Sequence, residues 1–309
     1  MKDKQQVRMD LRGVIIPVPT PFENNEKQTV DYDKLRQNIR KWEQIPAGLR
    51  GYCIGATNGE GPYLRHEEKL SIIKVFKSEV AKNKLVIAGT SCETTVQTSE
   101  FSKAAAEAGA DAVFIMPPHY FKSRMTETNF INYFTEVADS VPVPVIIYNA
   151  SSSIGINLSV RAIETLAAHP NILCIKDDGI DKMGVVVQKT KHLNFGVWAS
   201  TAGILLPALQ IGCVGSMNGL SAVLGFEVCQ LYDLVQNKKW DEAIELQNRL
   251  LPVDSLLFGD LGPPGLKAAM DLMGYFGGES RRPFIKVDDK TKEKIAEILK
   301  VQQFTRRFK

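Results

Sequence analysis

Two residues that end apolar runs have side chains able to do covalent chemistry. Lys176 follows Cys174-Ile175, and Tyr148 follows the run from Val143 to Ile147, 28 residues earlier. An amine held against apolar walls is desolvated, which disfavours its ammonium form and leaves a nucleophile able to attack a ketone. Taken alone, a lysine in this position could equally begin an exposed loop. The segment Gly55-Ala56-Thr57-Asn58-Gly59-Glu60 could pass for a phosphate or dinucleotide loop, but it has neither the G-x-G-x-x-G spacing nor a G-K-[ST] ending. Cys53, Cys92, Cys174, Cys213 and Cys229 stand far apart, with no C-x-x-C pair and no Cys/His cluster. Neither a disulfide framework nor a metal ligand set is expected.

The elements that must position these residues alternate. Apolar runs rich in β-branched residues recur at Val14 to Val18, Gly51 to Ile54, Leu85 to Ala88, Ala112 to Met116, Val143 to Tyr148, Ile172 to Ile175, Phe195 to Trp198 and Val214 to Met217. Helical spacing fills intervals such as Tyr32 to Trp42, Glu67 to Val80, Val96 to Ala108, Phe130 to Val137 and Val160 to Ala168, several of them opened by Asp, Ser or Thr. Near-continuous hydrophobic strands joined by helices imply a parallel sheet covered on its faces, and eight such units fit a closed (β/α)8 TIM barrel. Further helical patterns at Leu220 to Gln236, Asp241 to Leu251, Gly265 to Met273 and Thr291 to Gln302 exceed what one barrel needs. The catalytic barrel is therefore expected over residues 10–235, with an appended C-terminal helical layer over 236–309. In such barrels catalytic groups stand at the C-terminal ends of strands, which is where Tyr148 and Lys176 fall.

Composition narrows the partner. The 309 residues carry 38 basic and 35 acidic side chains, a formal net charge of +3 with no block of one sign, so neither a nucleic-acid surface nor a membrane surface is indicated. No run approaches the ~18 apolar residues of a membrane span. The first ten residues lack an apolar core and include acids, which suits a cytoplasmic protein, or a mitochondrial one whose presequence has been removed. A small molecule is the expected partner.

Four segments, in order and at matching intervals, carry a resemblance. Gly55 to Glu60 resembles the G-[TS]-[TN]-G-E turn, and Pro117-Pro118-His119-Tyr120 the Pro-Tyr-Tyr turn, of the dihydrodipicolinate synthase / N-acetylneuraminate lyase family of class I aldolases. Ile147-Tyr148-Asn149 with Gly155 resembles its Y-N-x-P-x-x-x-G element, and Ile175-Lys176-Asp177 its [IVM]-K-[DE] element. The resemblance runs from about Gly13 to Pro283. It implies that Lys176 forms a Schiff base with a pyruvate-type 2-oxo acid, that Tyr148 carries protons, and that Thr57 and Tyr120 are the hydroxyls beside it. It also implies that backbone N–H groups of Thr57 and Asn58 receive the substrate carboxylate, in a turn where glycines such as Gly59 permit close approach. The iminium serves as electron sink, so no cofactor and no metal are required. Family members are mostly homotetramers, dimers of dimers in which the residue matching Tyr120 reaches a neighbour's site.

Departures from the pattern bear on the substrate. Dihydrodipicolinate synthases carry an arginine five residues after the tyrosine, where it holds the carboxylate of the aldehyde; here that residue is Ser153. Ser151 replaces the usual proline, and the run Ser151-Ser152-Ser153 could hydrogen-bond a polyhydroxy or carboxylate end. Overall the chain resembles eukaryotic 4-hydroxy-2-oxoglutarate aldolase, through Asn58-Gly59-Glu60, Arg124-Met125, Val228 to Leu231 and Pro264 to Lys267. The expected reaction is cleavage of 4-hydroxy-2-oxoglutarate to pyruvate and glyoxylate. A 2-keto-3-deoxy sugar acid aldolase is the alternative within this chemistry, and a non-catalytic 2-oxo-acid-binding barrel the alternative outside it. The three other histidines, His66, His169 and His192, look solvated, and Cys174 is read as barrel filler.

Overall fold

The computed structural model describes residues 9–308. The eight apolar runs form parallel strands β1 (Gly13–Pro17), β2 (Leu49–Ile54), β3 (Leu85–Gly89), β4 (Ala112–Ile115), β5 (Val145–Tyr148), β6 (Ile172–Asp177), β7 (Gly196–Ala199) and β8 (Gly215–Met217). They pair in chain order and close through β8 and β1, a (β/α)8 TIM barrel. Alternation along each strand divides the side chains. Val145 and Ile147 face the helices, whereas Ile146 and Tyr148 join Ile15, Ile87, Cys174 and Trp198 inside the barrel. Closure depends on a close approach at Gly215, where a Cβ would lie 1.9 Å from the carbonyl oxygen of Gly13.

Around the barrel run α1 (Tyr32–Trp42), α2 (His66–Glu79), α3 (Thr95–Glu107), α4 (Glu127–Ser140), the short α5 (Ser151–Ile154), α6 (Val160–Ala167), α7 (Ile180–Thr190), α8 (Leu205–Gln210) and α9 (Gly225–Gln236). Their starts follow capping chemistry. Asp31 accepts the Lys34 N–H at 2.9 Å, Thr94 that of Gln97 at 3.2 Å and Ser159 that of Ala162 at 3.0 Å, each cap contributing about 1 kcal/mol. Among the described residues no helix is long and apolar enough to cross a membrane.

The chain continues into α10 (Trp240–Asp254), a π-helical segment (Ser255–Leu261), α11 (Gly262–Leu272) and α12 (Asp289–Val301). Val253, Leu257, Leu266 and Leu299 share one apolar cluster with Val14 and Ile16 of β1, so these C-terminal helices pack onto the barrel. π-helical turns carry an extra residue per turn and recur near functional sites. Here the segment brings Phe258 to the barrel mouth.

Three local differences from the sequence reading have physical reasons. β6 extends past its apolar run because Lys176 and Asp177 continue the ladder opposite Trp198 and Ala199. The serine run folds as the single turn α5. His169 is not solvated: its Nδ1 accepts the Asn171 N–H at 3.1 Å and its Nε2 lies 3.4 Å from Asp139.

Candidate active site

The ladder sets Tyr148 of β5 directly opposite Lys176 of β6. Both side chains are buried at the C-terminal mouth, with the Lys176 Nζ 4.1 Å from the centroid of the Tyr148 ring. Phe114 of β4 stacks on that ring, centroids 4.7 Å apart and planes 19° apart, which holds the phenol in place. The Thr57 Oγ1 lies 3.4 Å from the phenol oxygen. Burial pushes the Tyr148 hydroxyl up, but the charge of Lys176 and polar contacts with Thr57, Lys176 and Ser153 outweigh it, so the phenol ionises below its usual range.

The turn after β2 is a 3-10 turn over Thr57–Gly59. Its own hydrogen bonds begin with Gly59 N–H to Ala56 O at 3.0 Å and Glu60 N–H to Thr57 O at 3.0 Å. The N–H groups of Thr57 and Asn58 therefore head the turn with no carbonyl of it to bond, an arrangement suited to a carboxylate. Gly59 is buried beneath, where a Cβ would stand 2.4 Å from the Val18 carbonyl oxygen. Glu60 anchors the turn to α11 through a fully buried ion pair with Lys267, 2.6 Å, and accepts the Arg281 N–H at 2.7 Å. Burial lowers the Lys267 ammonium from its ordinary value and the Glu60 charge opposes that.

Lys176, Tyr148 and the head of the turn line one cavity of about 190 Å³. Of the residues singled out in the sequence, it gathers Thr57, Asn58, Tyr148, Ser152, Ser153 and Lys176. Gly59 shapes the turn without reaching the cavity wall. Tyr120 stands outside, 78% exposed on the loop after β4, where its N–H and that of His119 both bond Glu93 Oε2 at 3.0 Å. The His119 Nδ1 lies 3.1 Å from the other Glu93 oxygen, which leaves the histidine on the loop rather than in the cavity. Among the described residues no group of three or more His, Cys, Asp or Glu side chains could hold a metal ion.

The profile of the dihydrodipicolinate synthetase family matches residues 10–302. The chain belongs to that family. It is 31% identical over 290 residues to a 4-hydroxy-tetrahydrodipicolinate synthase of Syntrophus aciditrophicus, covering 93% of this chain and 97% of the relative. Among solved structures, a dihydrodipicolinate synthase of Bacillus anthracis superposes with a TM-score of 0.88 at 26% identity, covering 95% of this chain and 99% of that one. The enzyme from Aquifex aeolicus gives 0.88 at 26% identity, covering 96% and 99%. The chain is thus a class I aldolase-type enzyme of a pyruvate-dependent lyase and synthase family.

In this dihydrodipicolinate synthetase family member, the residues after the tyrosine and the lysine brace the strand ends. Asn149 donates from Nδ2 to Asp177 Oδ2 and to Asn157 Oδ1, both at 2.9 Å, and accepts the Leu158 N–H. Asp177 also pairs with Lys182 at 2.7 Å and accepts the N–H groups of Asp178 and Gly179. Sequence reasoning missed five further side chains of the wall: Asp178, Ser200, Thr201, Asp254 and Phe258. Ser200 and Thr201 follow β7 and could have been found as strand-end residues. Asp254 ends the pattern Leu250-Leu251-Pro252-Val253, and an acid on the apolar side of a helix was the available clue.

Proposed function

We propose that this enzyme cleaves a 2-oxo acid to pyruvate and an aldehyde through a Schiff base on Lys176. The observation that carries the reading is the Lys176 Nζ 4.1 Å from the Tyr148 ring, with the Thr57 hydroxyl 3.4 Å from the phenol oxygen. Lys176 passes an ammonium proton to the Tyr148 phenolate and its amine attacks the C2 ketone; Tyr148 returns the proton to the carbinolamine hydroxyl, which leaves as water and gives an iminium. Ionised Tyr148 takes the proton of the C4 hydroxyl; the C3–C4 bond breaks toward the iminium and the aldehyde departs. The resulting enamine is protonated at C3, and water releases pyruvate and the amine. The N–H groups of Thr57 and Asn58 hold the C1 carboxylate throughout.

The wall beyond the reacting atoms bears on the substrate. Lys176 is the one cationic side chain among the described residues lining the cavity, while Asp178 and Asp254 line it beside four hydroxyl side chains, Ser152, Ser153, Ser200 and Thr201. The far carboxylate of 4-hydroxy-2-oxoglutarate would meet acids without a counter-charge, as would the carboxylate of aspartate semialdehyde, the partner the family's arginine serves. Neutral hydroxyls would meet acceptors. We therefore read a 2-keto-3-deoxy sugar acid ahead of 4-hydroxy-2-oxoglutarate as the substrate class.

The test is borohydride reduction with pyruvate. One reduced pyruvyl group should appear on the peptide holding Lys176, and Lys176→Ala should lose both labelling and turnover. Labelling elsewhere, or full activity in the variant, would sink the mechanism; labelling without turnover of any aldehyde would leave a binding barrel.

A further inference from the structure

Asp254 ends α10 at the rim of the cavity, buried, and with no ion-pair partner among the described residues. Its oxygens accept the N–H groups of Ala202 at 3.3 Å and Gly203 at 3.1 Å, and the Thr201 hydroxyl also bonds it. A carboxylate offers about four acceptor positions, so about one remains after these three. The neighbouring Ser200 Oγ, on the same wall, is buried without a hydrogen-bond partner. Orphaned buried hydroxyls are uncommon in folded proteins and mark places where a missing partner is expected. An acceptor position and an unpaired hydroxyl thus line the same cavity as Tyr148 and Lys176.

We propose that Asp254 is a specificity-determining residue that accepts a hydrogen bond from a hydroxyl on the aldehyde half, with Ser200 beside it as a second hydroxyl contact. The inference rests on the Schiff-base aldolase reading and adds which residue reads the polyol. Burial pushes the Asp254 carboxyl up to about 6, so near neutrality it is mostly the acceptor-only carboxylate, whose hydrogen bonds are the charge-assisted kind. The competing role is purely structural, a clamp on the turn at residues 202–204. A clamp would serve every aldehyde equally, whereas a hydroxyl acceptor would serve only hydroxylated ones.

The test is condensation of pyruvate with glyceraldehyde, 3-hydroxypropanal and propanal. In the unmodified protein kcat/KM should fall stepwise as hydroxyls are removed, at least tenfold from glyceraldehyde to propanal. Asp254→Asn should lose at least tenfold more on glyceraldehyde than on propanal, while pyruvate-dependent borohydride labelling of Lys176 is still seen. Equal use of glyceraldehyde and propanal by the unmodified protein overturns the proposal without any variant. Equal losses on both aldehydes in Asp254→Asn overturn it in favour of the clamp. If the unmodified protein is not labelled with pyruvate at all, the aldolase reading fails first and this one with it.

Discussion

The floor of the cavity and its rim are made in different ways. Tyr148 and Lys176 on the floor are neighbours on one hydrogen-bonded ladder, with Tyr148 stacked against Phe114 and the strand ends braced by Asn149 and Asp177. The rim draws Ser153 from a single helical turn, Thr201 from the loop after β7, and Asp254 and Phe258 from α10 and the π-helical segment behind it. Strand register leaves the floor little room to vary. Loops and helix ends can exchange side chains without disturbing it, so reaction type and aldehyde choice are carried by separable parts of the chain.

The largest effect should come from the floor. Tyr148→Phe should keep the fold and lower kcat at least ~10²-fold, the usual scale for a positioned acid or base, with little change in KM. A change in KM alone would move Tyr148 from proton transfer to binding. Because the Thr57 contact helps lower the phenol, Thr57→Val should shift the alkaline-activated limb of the kcat profile to higher pH. An unmoved limb would leave the lowering to Lys176 and Ser153.

The same division decided what the sequence disclosed. Lys176, Tyr148, Thr57 and Asn58 were legible because each lies at or just past an apolar strand, and a barrel puts those positions at one mouth. Asp254 and Phe258 were not, since both lie between the helical patterns at Asp241 to Leu251 and Gly265 to Met273, in a stretch whose spacing marks no element. What brings them to the rim is the packing of α10 and α11 onto the barrel, a tertiary event with no local periodicity. Tyr120 was legible as part of a turn, but its 78% exposure is a property of the folded chain.

At the rim, Asp254 should reveal itself in stability. Its carboxyl is raised from 3.8 to about 6, so the native state binds the proton more tightly than the unfolded one. That contribution is fully present below about pH 4 and is lost as pH rises through about 6, on the order of 3 kcal/mol. The unfolding free energy of the unmodified protein minus that of Asp254→Asn should therefore fall between pH 4 and 7. A difference that stays flat would mean the carboxyl titrates like an exposed one.

Ser153 joins rim to floor through its contact with Tyr148. Aspartate semialdehyde should be a poor partner for pyruvate, and Ser153→Arg should lower kcat/KM for a hydroxylated aldehyde by roughly tenfold, about the worth of one hydrogen bond in a confined site. Efficient dihydrodipicolinate formation by the unmodified protein would erase the distinction drawn at the rim.

The smallest expected effect tests whether the rim is complete in one chain. Tyr120 and Phe121 are both exposed beside each other on the loop after β4, with ring centroids 4.9 Å apart, and the family resemblance implies that Tyr120 serves a neighbour's site across a two-fold interface. Lys176→Ala and Tyr120→Phe should then rescue each other when their subunits are mixed and reassembled. In a mixed dimer one site carries both defects, while the other keeps its own Lys176 and receives an intact Tyr120 from its partner. Random reassortment makes about half of the dimers mixed, so about a quarter of all sites should recover if each acts independently. Recovery must exceed the residual activity of Tyr120→Phe alone. No recovery after subunit exchange has been demonstrated by mass would put Tyr120 outside the proton relay, and the cavity of one chain would then be the whole site.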